Sequence, residues 1–363
     1  MKSRKICYAS HCDSAIYSYY NFILGDKFEH KIEQNYLAKN ILAYRRLGKK
    51  CNIHFAYEVF ERIKEYDDVV ALTFDIEKFF DSLDHKILFE NWKAILDCDY
   101  LPEDHFAIFR SLTKFASVKR EELNKLFYFK NILKNKSGRI CSSLDFRDKV
   151  RKQGFIIKNT TEKGIPQGSP MTGLLSNIYM FEFDKIIQSK MKTINGVYRR
   201  YSDDIIILCS TKYISVVENY IIESINKLTS LDINPSKTTK TFFIKDNNGP
   251  MQCKSENGVN SHLQYLGFDF NGDSILVRSS SLSRYYRKLN RRLKKITVQQ
   301  KNSKSNKTKI FKKKLFSLYS HLGKRNFISY AFRAAEITNS DAIKRQVSRH
   351  WTKLNKKIKT LER

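Results

Sequence analysis

Two apolar runs that end in carboxylates constrain this chain more than any other feature. Val69-Val70-Ala71-Leu72-Thr73-Phe74 is rich in β-branched and aromatic residues, long enough for a buried central strand, and Asp75 closes it. Val197-Tyr198-Arg199-Arg200 and Ile205-Ile206-Ile207-Leu208 flank the tetrad Tyr201-Ser202-Asp203-Asp204. Two short strands about a polar tetrad predict a β-hairpin with Asp203 and Asp204 at its turn. Carboxylates carried on strand ends project from a rigid sheet into one shared space. Adjacent carboxylates repel one another, so such a turn calls for cations, and oxygen ligands suit a pair of Mg²⁺ ions on a nucleoside triphosphate.

A lone Asp-Asp would be an ordinary polar turn. A third block separates this chain from that case. Gly164-Ile165-Pro166-Gln167-Gly168-Ser169-Pro170 is a rigid Gly/Pro loop, and Leu174, Ile178 and Phe181 after it are spaced for one face of a helix. Such a loop lets backbone and the Gln167 amide approach a base pair closely.

Taken in order, these blocks resemble a bacterial reverse transcriptase. Phe-Asp-Ile and Phe-Phe-Asp-Ser come first, then Ile-Pro-Gln-Gly-Ser-Pro with Leu175-Ser176-Asn177, then Tyr-Ser-Asp-Asp. Leu231-Asp232-Ile233-Asn234-Pro235-Ser236-Lys237-Thr238 and Tyr265-Leu266-Gly267-Phe268 follow, so the resemblance runs from about residue 40 to about residue 270. It implies an α+β right-hand polymerase: fingers over 1–70, a palm over 71–275 with an insert at 97–163 contributing to the fingers, and a basic helical thumb over 276–363.

The resemblance also implies roles. Asp75 and Asp203 are the principal ligands of two Mg²⁺ ions, for which Mn²⁺ could substitute, with Asp204 accessory and the Ile76 backbone at the metal site. The Ile76 and Glu77 amides fall where such palms touch the triphosphate, whereas Glu77 and Asp81 are expected to face solvent or start a helix. Phe80 matches the steric gate that excludes a 2′-hydroxyl. Gln167 would contact the incoming nucleotide, and Lys237 would stabilise charge or give a proton to pyrophosphate. Tyr44-Arg45-Arg46-Leu47-Gly48-Lys49-Lys50 resembles the segment that grips the triphosphate, through Arg45 or Arg46. Tyr265, Leu266 and Gly267 resemble the hairpin that seats the primer end.

Charge supports a nucleic-acid partner. The chain has 363 residues and a net charge of +30, and residues 278–363 alone carry 26 Lys/Arg against 3 Asp/Glu, a net of +23. Such an excess should bind phosphates with a steep salt dependence. Three apolar stripes predict amphipathic helices there: Leu282, Tyr286, Leu289, Leu293 and Ile296; Phe311, Leu315, Leu318 and Leu322; and Ile343, Val347, Trp351, Leu354 and Ile358. Arg284, Arg287, Lys288 and Arg291 lie on the outer face of the first and are candidate primer–template contacts. Residues 299–309 read as a basic low-complexity loop.

No run approaches the roughly 20 apolar residues of a spanning helix, and no signal peptide opens the sequence, so no membrane partner is expected. Seven scattered cysteines without a CxxC pair fit a reducing cytoplasm, and the closely spaced Cys7, His11 and Cys12 make only a weak metal candidate.

Within the family, group II intron enzymes carry further domains after the thumb, where this sequence stops. Retron enzymes commonly have Ala before the Asp pair and a late Val-Thr-Gly; here Ser202 replaces that Ala and Leu276-Val277-Arg278-Ser279-Ser280 lies in the neighbourhood. Together with the long insert, these departures resemble the defence-associated (unknown-group) reverse transcriptases, with retrons second. That implies a structured non-coding RNA template, deoxynucleoside triphosphates, a DNA product, and an accessory defence protein or homo-oligomer. An RNA-dependent RNA polymerase shares the palm, but Phe80 opposes it; a non-catalytic RNA scaffold would have no need of the three Asp.

Overall fold

The computed structural model describes residues 5–127, 140–245, 250–301 and 310–362. Most of the predicted basic loop at 299–309 therefore lies outside the described residues, as does 128–139 of the insert. In chain order the principal elements begin with α1 (His11–Gln34), α2 (Asn52–Lys64), β1 (Asp68–Asp75), α3 (His85–Leu96), α4 (Glu103–Thr113), β2 (Ala116–Val118) and β3 (Ile156–Lys158). Next come α5 (Thr172–Tyr179), α6 (Phe181–Thr193), β4 (Val197–Tyr201), β5 (Asp204–Cys209), α7 (Ile214–Thr229), β6 (Thr239–Lys245) and β7 (Met251–Ser255). The chain closes with β8 (Leu263–Tyr265), β9 (Phe268–Phe270), β10 (Ile275–Val277), α8 (Ser279–Lys301), α9 (Lys312–Tyr319), α10 (Phe327–Ile337), α11 (Asp341–Val347) and α12 (His350–Glu362). Helices mixed with antiparallel pairs make this the predicted α+β class.

The largest sheet has the order β4-β5-β1-β6-β7. β1 is central, as its unbroken Val-Val-Ala-Leu run requires: Val69, Val70, Ala71 and Leu72 are all buried. β6 and β7 pair antiparallel from Thr241↔Ser255 to Lys245↔Met251. A three-stranded sheet, β10-β9-β8, is antiparallel throughout, with Phe270 opposite both Ile275 and Leu263. β2 and β3 form a small antiparallel two-stranded sheet within the insert.

The chain divides into two compact units. The first comprises 1–45, 73–206 and 215–238. In it α1 packs on α3 and α5, α3 on α5, and α6 on β4. Leu24, Phe28 and Ile32 give α1 its buried face, and the Phe28 ring meets Phe181 edge-on at 6.1 Å. Leu174, Ile178 and Phe181 are buried as their spacing predicts, although the helix breaks at Met180 into α5 and α6.

The second unit comprises 46–72, 207–214 and 239–363. Its sheet core stacks Phe270 on Phe60 at 4.7 Å and on Phe243 at 5.6 Å. Its helical core joins Leu289 and Leu293 of α8 to Leu315, Leu354 and Ile358. The helices depart from the three predicted. α10 is additional: its buried residues are Ile328, Ala331, Ala334 and Ala335, too small for a stripe of large apolar residues to reveal. The third stripe is split between α11 and α12 at Ser348 and Arg349. In the second stripe Leu315 is buried, but Phe311, Leu318 and Leu322 are exposed.

Candidate active site

The site is built where β1 ends. Ile76 N–H donates to the Asp203 carbonyl at 3.3 Å, which ties the hairpin turn directly beside Asp75. From the other side Asn234 N–H donates to the Asp75 carbonyl at 2.8 Å, Glu77 N–H donates to the Asp232 carbonyl at 2.9 Å, and Ile76 bridges Ile233 antiparallel. β1 thus runs out between the Tyr-Ser-Asp-Asp turn and the Leu-Asp-Ile-Asn segment, blocks that lie more than a hundred residues away along the chain.

The turn itself consists of Ser202 and Asp203; Asp204 already opens β5 and is exposed. Two-residue hairpin turns favour positive φ, and Ser202 adopts φ 62°. The Asn234-Pro235-Ser236-Lys237 segment is a turn of 3₁₀ helix, and the Asn234 side chain accepts from Ser236 N–H. Asn234 and Pro235 fix that turn, and Lys237 Nζ then reaches Asp75 Oδ2 at 2.5 Å. Asp75, Asp203 and Lys237 are therefore brought together.

The second cluster holds Phe80 and the Gly164 loop. Ile165 N–H donates to the Phe80 carbonyl at 3.0 Å, and Gly164 N–H donates to Leu83 at 2.8 Å. His85 Nε2 meets the Gly164 carbonyl at 2.8 Å, and burial lowers the proton affinity of this imidazole. Gly164, at φ 85°, has the Asp81 carbonyl oxygen 2.9 Å from where a Cβ would lie. At Gly168, with φ 112°, the Cys7 carbonyl oxygen would be only 2.4 Å away. Cys7 N–H donates to the Gln167 carbonyl at 2.7 Å, so residues ahead of α1 are laid along this loop. The Phe80 ring is half-buried and lies 5.2 Å from Phe79.

Two expectations meet a different geometry. The Ile76 and Glu77 amides, predicted at a triphosphate, already bond the carbonyls of Asp203 and Asp232. The Arg45 side chain is only 3% exposed; its Nε and Nη2 donate to the Glu29 carboxylate, the latter at 2.6 Å, and its Nη1 donates to the Ala38 and Ile41 carbonyls. A triphosphate contact from Arg45 would have to break that set. Glu77 and Asp81 are exposed, and Glu77 lies 3.9 Å from Lys78.

Arg46, Tyr265, Leu266, Gly267, Arg284, Arg287, Lys288 and Arg291 belong to the second unit. Leu266 and Gly267 form the two-residue turn between β8 and β9, at φ 46° and 93°. The four basic residues of α8 are exposed. Arg284 and Lys288, with Arg325, line a cavity of about 540 Å³ that the Leu266-Gly267 turn also borders.

Among the described residues no three His, Cys, Asp or Glu side chains converge as a metal group. A site offering two carboxylates, with water and phosphate oxygens left to complete the shell, fits the way Mg²⁺ is bound on nucleotides. The ammonium of Lys237 against Asp75 shows that this carboxylate is already set against a cation.

The family described as reverse transcriptase (RNA-dependent DNA polymerase) matches residues 27–270. The chain belongs to this family. The matched span contains Asp75, Phe80, Gln167, Asp203, Asp204 and Lys237 and ends with β9. Similar solved structures include a C-terminally truncated apo telomerase from Candida tropicalis, 14% identical with a TM-score of 0.48, covering 72% of this chain and 45% of that one. The apo telomerase of Candida tropicalis is 14% identical at a TM-score of 0.47, covering 94% and 51%. A Candida albicans telomerase solved with a fragment of telomeric RNA is 12% identical at 0.42, covering 92% and 48%. This chain spans about half the length of those structures. No curated protein matches it.

Sequence reasoning missed Asp184 and gave no role of their own to Arg200 and Tyr44, which the structure sets against the Ser202 turn. One signal was present. In β4 the strand period puts Arg200 on the same side as the buried Tyr198, and a charge at an inward position requires an acid.

Proposed function

We propose that this chain is an RNA-directed DNA polymerase that joins deoxynucleotides by two-metal-ion nucleotidyl transfer. One observation carries the reading: Asp75 is held between the Asp203 turn and the segment that delivers Lys237. Asp75 and Asp203, with Asp204 accessory and the Ile76 backbone alongside, would hold two Mg²⁺ ions. Bound there, the metals would lower the pKa of a primer 3′-hydroxyl and neutralise the departing pyrophosphate. Lys237 lies within reach of the same space and would protonate or screen the leaving group. Phe80 would wall off the 2′ position of the sugar, and Gln167 would pack under the nascent base pair. Arg45 or Arg46 would grip the triphosphate, and a contact from Arg45 would have to displace its ion pair with Glu29.

In this reading residues 1–70 and the insert at 97–163 serve as fingers, 71–275 as palm and 276–363 as a thumb gripping an RNA or hybrid duplex. The template is a structured non-coding RNA and the setting bacterial antiphage defence. Ser202 before the Asp pair and the long insert favour that placing over a retron. Sequencing the nucleic acid that copurifies with the chain tests it. A single recurrent structured RNA with complementary DNA supports the reading, and random cellular RNA without DNA opposes it.

A further inference from the structure

The catalytic turn rests on a buried charge. The side chains of Arg200 and Asp184 are both 0% exposed, and Arg200 is among the largest fully buried side chains described. Burying two charges costs several kcal/mol per ion unless the pair is close and its remaining donors are satisfied. Here they are. Arg200 Nε donates to Asp184 Oδ1 at 2.7 Å and Nη2 donates to Oδ2 at 2.6 Å, a two-pronged grip. Tyr198 O–H adds a third donor to Asp184 at 2.5 Å, and burial pushes this phenol well above its ordinary range, so it remains a donor. Burial would also weaken the Arg200 charge, but the carboxylate outweighs it and holds the guanidinium charged.

The last guanidinium nitrogen reaches past the pair. Arg200 Nη1 donates to the Ser202 carbonyl and to Asn177 Oδ1, each at 3.2 Å. Ser202 is the left-handed residue of the turn, and its carbonyl belongs to the peptide that leads into Asp203. Asn177 in turn donates to the Ala43 carbonyl at 2.8 Å, Arg200 N–H donates to Asn40 at 2.7 Å, and Leu42 N–H donates to the Arg200 carbonyl at 2.9 Å. Tyr44 continues this segment: its hydroxyl meets Ser202 Oγ at 3.4 Å, and its ring leaves no room for a side chain at Gly173.

An ion pair needed for stability alone could be replaced by apolar residues of similar volume at little cost, and it has no need of an arm directed at the turn. We propose that Arg200 is a positioning residue. Locked by Asp184, it holds the Ser202 carbonyl and so fixes the strained turn that aims Asp203 and Asp204. This rests on the polymerase reading above and deepens it by naming what preorganises the metal carboxylates. Ligand-orienting groups of this kind are typically worth 10- to 100-fold in metal affinity or activity.

Removing one partner alone would leave a buried unpaired charge and could prevent folding. The test therefore uses Arg200→Met with Asp184→Leu in the full chain, and Arg200→Lys as a second variant that keeps the charge but lacks the planar fork. Two readouts do not depend on turnover: amide hydrogen exchange of peptides covering 201–206, and Mn²⁺ binding followed by the paramagnetic signal of the free ion. In both variants exchange at the turn should quicken about tenfold and Mn²⁺ affinity should fall about tenfold or more, while helical content stays at the wild-type level. In nucleotide incorporation kcat should fall with little change in KM. Wild-type exchange and Mn²⁺ affinity in whichever variant folds would overturn the proposal. If wild type incorporates no nucleotide while the exchange contrast persists, the polymerase reading fails and the restraint on the turn stands.

Discussion

Lys237 shows how far a single residue can be read. Nothing in its local sequence distinguishes it among 67 basic residues, and only the family blocks single it out. The structure then places its ammonium 2.5 Å from Asp75. Lys237→Ala should lower kcat by about one to two orders of magnitude, at the low end of general acid catalysis, while the fold persists because the side chain is half exposed. Rapid-quench incorporation assays check this, and an unchanged kcat would remove Lys237 from the chemistry. Phe80→Ala opens the space under the sugar, so the ratio of ribonucleotide to deoxynucleotide incorporation should rise at least tenfold; an unchanged ratio would mean that Phe80 only packs on Phe79. That Asp75 and the Asp203 turn would lie side by side was legible only from the ordered blocks, because a lone Asp-Asp is an ordinary polar turn. The basic run at 44–50 could not reveal which cation turns inward. That depends on Glu29, sixteen residues upstream on α1, which takes Arg45.

At the scale of elements, the strands that lead to the carboxylates were legible, and several helices were not. β1 and β5 are continuous apolar runs whose pattern fixes their burial, whereas β4 alternates and buries Tyr198 and Arg200. α10 escaped because alanines form its buried face, and the break between α11 and α12 escaped because apolar spacing continues across it. The Gly164–Pro170 loop was legible as rigid, but its reason was not: a Cβ at Gly168 would strike the Cys7 backbone carbonyl. Gly168→Ala should therefore destabilise the chain by roughly 1–3 kcal/mol through strain and displacement of that contact, measured by denaturant unfolding. A second prediction concerns pH. Burial lowers the proton affinity of His85, His105 and His350, so the folded chain holds these rings neutral where the unfolded chain would protonate them. Below about pH 6.5 the unfolded state binds more protons, and stability falls as pH falls. The denaturation midpoint should be lower at pH 5.5 than at pH 7.5, and the reverse order would contradict the neutral burial of these rings.

At the scale of the whole molecule, the charge distribution was plain from the sequence: +23 of the net +30 lies in residues 278–363. Among the described residues no helix is long and apolar enough to cross a membrane. If the charge grips nucleic acid, each neutralised phosphate contributes a log–log salt slope of roughly −0.7 to −0.9. Replacing the exposed Arg284, Arg287, Lys288 and Arg291 of α8 with Gln should flatten the slope of RNA binding by up to about three units and impair processive extension more than single addition. An unchanged slope would assign the charge to another partner. The account as a whole rests on the metal-dependent site, and one measurement addresses it most directly: extension of a primed RNA template with deoxynucleotides in Mg²⁺, by wild type and by the Asp203→Ala, Asp204→Ala double variant. The account predicts Mg²⁺-dependent DNA synthesis by wild type and none by the folded variant. Equal synthesis by both, or a wild type that extends only with ribonucleotides, would contradict it.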